Sequence, residues 1–168
     1  AGLFLKTVRS FEQLSLETID SDIHTTKDGK YAMNTFICKH KILGANLIQR
    51  DIQNIEQKII NAISSENFKA TVKSKSAHKK VFEYPTRVNV SPSKKRDASL
   101  ITIETLDQPN LLSKVANIFL EHGISIDSAR ITTLGEKVED NFTVIDEKTK
   151  LCISQSKTNQ LQKKLKNL

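Results

Sequence analysis

Tryptophan is absent from this 168-residue chain, and aromatic residues make up 5% of it. A surface that stacks bases needs several exposed rings, so nucleic acid is disfavoured as a partner. Cysteine occurs twice, at Cys38 and Cys152, far apart and without CxxC spacing. That predicts two free thiols in a reducing cytoplasmic setting, with neither a disulfide frame nor a structural zinc site. No apolar run approaches the roughly 20 residues that span a bilayer, so no membrane partner is expected. No secretory cleavage pattern follows the start, AGLFLKTVRSF. Neither GxGxxG nor GxxxxGK[ST] occurs, so the two common phosphate cradles are missing. His24, His40, His78 and His122 show no ligand spacing such as HExxH, so no metal site is expected.

What is present reads as a soluble globular chain, with 38% hydrophobic and 27% charged residues. The formal net charge is +7. The lysines are spread widely, and the dense groups HKK (residues 78–80) and KKR (94–96) fall in expected loops. The charge therefore reads as a solvated surface.

An internal repeat organises the chain. AGLFLKTVRSFEQLSLETIDSDIHTT (1–26) aligns with PNLLSKVANIFLEHGISIDSARITTL (109–134). Leu3 falls on Leu111, Lys6 on Lys114, Phe11 on Phe119, Leu16 on Ile124, Ile23 on Ile131 and Thr25 on Thr133. After a two-residue gap, Asn34, Thr35 and Phe36 fall on Asp140, Asn141 and Phe142. Two copies are too few for a solenoid and point to two related domains.

In the second copy, LITIETL (100–106) alternates as a half-buried strand. Pro109 suits the first helical position. Leu111, Leu112, Val115, Ala116, Phe119 and Leu120 then form an amphipathic stripe, which Gly123 ends. Residues 124–134 and 137–146 read as strands joined through Gly135, and Leu161, Leu165 and Leu168 mark a closing helix. The first copy predicts a helix over 3–14, strands over 16–26 and 31–39 about an Asp28-Gly29 turn, and a helix carrying six isoleucines between Ile48 and Ile63. VFEYPTRVNV (81–90) is a further strand, which Pro85 confines to an edge or bulge. The polar stretch 65–80 reads as a mobile loop.

The predicted fold class is α+β, with two ferredoxin-like βαββαβ units in tandem. The first unit is expected over 1–91 without its opening strand, a linker over 92–99, and the second unit over 100–168 without its last strand. The chain begins inside a helix at Ala1, so residues upstream are expected.

For chemistry, Asp20-Ser21-Asp22 has the carboxylate spacing of magnesium-dependent nucleotidyl transfer. The Gly-Ser turn and third carboxylate that such sites need are not visible, so no catalytic residue is assigned. Glu139 and Asp140 would face opposite sides of a strand and cannot form an acid–base pair; they read as a solvated strand end. The join DQPN (107–110) is more informative. A strand turning sharply into a helix aims unpaired N–H groups and a partial positive charge at the turn. A ligand carboxylate could dock there, with Asp107 beside it as an acceptor for an ammonium group. Helix capping by Asp107 or Gln108 explains the same residues equally well.

LDQPNLLSKVANIFLEHGISIDSARITTLGEKVEDNF (106–142) resembles an ACT domain, a small-molecule-sensing module. More narrowly, the chain resembles the C-terminal tandem ACT domains of the bacterial bifunctional uridylyltransferase/uridylyl-removing enzymes, which modify the PII nitrogen-signalling protein. The Ala-Arg-Ile-Thr-Thr strand, the Gly-Glu turn and Val-Glu-Asp before an apolar strand carry the likeness in the second copy. LSLETIDSDIHTTKDGKYAMNTFIC (14–38) carries it in the first, with Asn34 in place of the usual Asp.

The resemblance implies a regulatory, non-catalytic fragment that senses L-glutamine. The Mg2+-dependent nucleotidyltransferase domain and the hydrolase domain would lie upstream. It implies ligand-binding residues Asp107, Gln108, Pro109, Asn110 and Leu111, with Asp127, Ser128 and Ala129 opposite. In the first copy Gly2, Leu3 and Phe4 match the turn, with Asp20 and Ser21 opposite. The family usually has Gly where this chain has Asn110. ACT–ACT pairing through open sheet edges, within or between chains, is also implied. The alternatives are an ACT regulator of another metabolic enzyme and an RNA-binding ferredoxin-like module, the latter requiring aromatic residues on central strands.

Overall fold

A computed structural model describes residues 2–26, 28–44, 46–65, 84–94 and 97–168. Most of the expected loop at 65–80, His78, the start of the strand expected at 81–90, and Lys95 and Arg96 lie outside the described residues. The elements run α1 (Gly2–Gln13), β1 (Leu16–Thr25), β2 (Ala32–His40), α2 (Gln49–Ser64), β3 (Arg87–Pro92), β4 (Ser99–Leu106), α3 (Leu111–Glu121), β5 (Ile124–Leu134), β6 (Lys137–Asp146) and α4 (Gln155–Leu165).

The six strands form one antiparallel sheet in the order β2-β1-β5-β6-β4-β3. Alternation of burial puts the core on one face. On β4, Ile101 and Ile103 are buried, as are Val138, Phe142 and Val144 on β6. Val115, Ala116 and Phe119 of α3 and Leu161 and Leu165 of α4 close over them. This α+β architecture is compatible with two ferredoxin-like units set side by side.

The repeat recurs in three dimensions. Phe11 meets Phe36 edge-on at 4.9 Å, and Phe119 meets Phe142 edge-on at 5.1 Å. A register shift in β1 between Thr18 and Asp20 matches one in β5 between Ile126 and Ser128. Where the halves join, Asp22 pairs with Arg130, its own repeat equivalent. Arg9 Nη2 likewise donates to Asn117 Oδ1 at 3.4 Å, again between equivalents 108 residues apart. A pseudo-two-fold axis therefore passes through these two contacts. Phe4 crosses the seam to reach Phe142, with ring centroids 6.3 Å apart.

The halves are not equally complete. β3 pairs with β4, at the sheet position a fourth strand of the second unit would take. No residue of α2 is fully buried, and Ile52 and Ile60 are 46% and 49% exposed. Gly123 (φ +60°) ends α3 and Gly135 (φ +66°) turns β5 into β6, as their sequence positions predict.

Candidate functional site

A cavity of about 280 Å³ opens at the seam between the two halves. The first half contributes Glu12 of α1, Leu16, Glu17 and Thr18 of β1, and Lys41 just after β2. The second contributes residues 107–112, with Ile131, Thr133 and Val138 from the sheet. Because β1 runs antiparallel to β5, the start of β1 lies beside the end of β5. The β5–β6 turn is there too, and the Asp107 N–H donates to the Glu136 carbonyl at 2.8 Å to hold the β4–α3 join against it.

The join differs in detail from the sequence expectation. Pro109 precedes the helix; Asn110 is the N-cap and Leu111 the first helical residue. Asn110 takes a left-handed conformation (φ 64°, ψ 21°), which turns the chain before the helix and displaces Pro109 from its first turn. The Asn110 side chain makes no capping hydrogen bond. The Leu111 N–H reaches the Gln108 carbonyl at 3.2 Å, and Lys114 Nζ donates to Gln108 Oε1 at 3.2 Å.

The cap comes from the other half. The carboxyl of Glu12 faces the start of α3, where Ser113 approaches it through side chain and backbone N–H. Burial pushes the Glu12 pKa up; Ser113, Arg9 and Lys41 work against that rise. Asp107 is also raised, first by burial and then by the Glu17 carboxylate, with Lys41 opposing. Lys41 is the one cation among the described lining residues.

Asp140 does not itself line the cavity; it lies on the sheet next to the lining residues Ile131 and Val138 and is 0% exposed. The expectation of a solvated strand end is therefore corrected for this residue. Its β6 position alternates with the outward Glu139 and falls in register with Ile131 and Ile103, so it shares the covered sheet face with Val138 and Phe142. Neither carboxyl oxygen makes a hydrogen bond of good geometry. The Thr132 backbone N–H is the donor near enough to favour ionisation. Burial, with a smaller push from Asp107, raises the Asp140 pKa to about 8.

The other sequence-selected residues lie elsewhere. Asp127 falls at the β5 bulge, Ser128 pairs with His24, and Ala129 is buried opposite Ile23. Gly2 and Leu3 begin α1, and Phe4 is a core residue. Asp20 lies 3.8 Å from Arg130, and Ser21 is buried opposite Ile131. None of these lines the cavity. Glu12, Glu17 and Lys41 escaped the sequence reading because their part depends on the pairing of the halves. One trace was available: Glu12 stands where the second copy has the apolar Leu120.

Among the described residues no group of three or more His, Cys, Asp or Glu side chains could hold a metal ion. Cys38 and Cys152 are not joined to each other. No described helix is long and apolar enough to cross a membrane.

Comparison with known proteins returns curated relatives that carry the name bifunctional uridylyltransferase/uridylyl-removing enzyme. The Psychrobacter cryohalolentis protein is 33% identical over 154 residues, covering 87% of this chain and 16% of the relative. The Nitrosospira multiformis protein is 33% identical over 144 residues, covering 84% and 16%. The Photobacterium profundum protein is 30% identical over 149 residues, covering 88% and 17%. The chain thus matches a fragment of these enzymes and spans about 16% of their length. No family model matches the chain, and no solved structure matches it.

Proposed function

We propose that this chain, homologous to a fragment of the bifunctional uridylyltransferase/uridylyl-removing enzymes, is an amino-acid-sensing regulatory part with L-glutamine as its effector. Addition and removal of uridylyl groups on a PII protein would belong to Mg2+-dependent and hydrolytic domains elsewhere in a cytoplasmic protein. The observation that carries the reading is the seam cavity, lined by the strand–helix join at 107–112 and closed by the opposite half.

The cavity offers the two opposite charges that a zwitterion needs. Lys41 suits a carboxylate, and Asp107 suits an ammonium group. An occupant there touches both halves at once, so it favours whichever arrangement of the seam fits it. An RNA-binding reading has less support. The open face of β5 and β6 presents Ser125, Arg130, Glu139, Asn141 and Thr143, without a stacking ring.

The test is glutamine titration of the full-length protein while uridylyl addition and removal on its PII partner are measured. Glutamine is expected to favour removal. Asp107→Ala is expected to weaken glutamine binding at least tenfold, about 1.4 kcal/mol, and to blunt both responses. An unchanged glutamine response in that variant would sink the assignment of the seam cavity.

A further inference from the structure

The least explained polar group in the molecule is Asp140. Its carboxyl is wholly buried, has no hydrogen-bond partner of good geometry, and leaves the sheet on the same face as Val138 and Ile131, both of which line the seam cavity. Buried polar groups are almost always satisfied, so an orphaned carboxyl next to two cavity-lining residues calls for a reason. Its repeat equivalent shows the same vacancy: Asn34 Oδ1 is also buried without a partner. This position is therefore polar in both copies, but only the second copy carries a group that can become an anion.

Building on the amino-acid-sensing reading, we propose that Asp140 is the second anchor of the cavity: with Asp107 it holds the ammonium group of the occupant and gives up its own proton as that group docks. The exchange balances simply. The ligand keeps its three ammonium protons, the Asp140 O–H bond breaks, the electron pair stays on the carboxylate, and one proton leaves to solvent.

The surroundings set the direction. The Asp107 carboxylate adds to the rise in the Asp140 pKa, and neighbouring carboxyls disfavour ionising both. Ile103 and Ile131 flank it on β4 and β5, and Thr132 contributes a single N–H. Glu17 of β1 adds its negative charge beside Asp107, while Glu12 of α1 and Lys41 lie further round the same cavity. Without an occupant the proton on Asp140 relieves this crowding of acids. A cation placed between Asp107 and Asp140 removes the reason to keep it. The raised pKa of Asp140, about 8, agrees with the protonated resting form at neutral pH.

The experiment is calorimetric titration of the full-length protein with L-glutamine and with glutaramate, which lacks only the α-amino group. Each titration is run at pH 6.0, 6.5 and 7.0, in buffers of low and high ionisation enthalpy. The expected result is release of close to one proton per glutamine bound and affinity rising about tenfold per pH unit. Glutaramate should bind at least tenfold more weakly and release none. Asp140→Asn should bind glutamine without proton release, whereas Asp107→Asn should still release a proton. Glutamine binding with equal heats in both buffers and no pH slope would overturn the Asp140 anchor and leave the sensing role standing. A wild-type protein that binds no amino acid at all would overturn both. Should Asp140→Asn fail to fold, the wild-type proton count and the glutaramate comparison still decide the matter.

Discussion

At the scale of single residues, burial of Asp140 has a thermodynamic signature independent of any ligand. An ordinary aspartate titrates near pH 4, and in the folded chain Asp140 titrates at about 8. Below both values the group is protonated in either state and its contribution is neutral. Between them only the unfolded chain gives up the proton, so folding loses about 1.4 kcal/mol per pH unit from this group. Stability measured by urea denaturation should therefore fall as pH rises from about 4 to 8. Asp140→Asn should flatten that slope; an identical slope in the variant would show that the buried carboxyl is not its source. This residue was misjudged from sequence because an acid after Glu139 reads as strand-end solvent exposure, and only the β4–β6–β5 register shows which of the two faces inward. Asn110 was more legible. Asn visits left-handed backbone more readily than most residues, and the join uses it there at φ 64°.

At the scale of elements, local patterning carried far. The strands expected at 124–134 and 137–146 are those observed, and α1, β1, β2 and α3 differ from expectation by a residue or two at their ends. Periodicity sets such segments because their burial is one-sided. It does not fix where a strand pairs. β3 follows the first copy in sequence but hydrogen-bonds to β4, a non-local choice that alternation alone cannot express. Periodicity also does not reveal how fully a face is covered. The isoleucines of α2 have helical spacing like the apolar stripe of α3, yet no α2 residue is fully buried and Phe119 of α3 is 0% exposed. Phe119→Ala should therefore cost about 3–5 kcal/mol. Ile52→Ala, at 46% exposure, should cost under about 1 kcal/mol. Denaturant midpoints of the two variants, compared with the parent, check both values; equal losses would mean that α2 is covered as tightly as α3.

At the scale of the whole molecule, the continuous sheet links what the sequence presents as two copies. Residues 20–24 of β1 pair directly with 128–132 of β5, and Phe4 of one half meets Phe142 of the other. The two strands should therefore open together. Hydrogen exchange is expected to show similar protection for the amides that bridge β1 and β5, and faster exchange along the edge of β2 that no described strand covers. Exchange of β1 a hundredfold faster than β5 would show that the halves open separately. The candidate site was legible only on one side. The join at 107–111 stood out in sequence, whereas Glu12, Glu17 and Lys41 acquire meaning from the seam alone.

The pseudo-two-fold through Asp22–Arg130 and Arg9–Asn117 also has a genetic side. In a dimer of identical chains every substitution appears twice, once on each side of the two-fold seam, and neither side can change alone. On a single chain the mirror positions mutate separately. Here Glu12, Glu17 and Lys41 stand opposite Leu120, Ser125 and Glu147 in the repeat, so the lining of the seam cavity can change while its counterpart positions stay as they are.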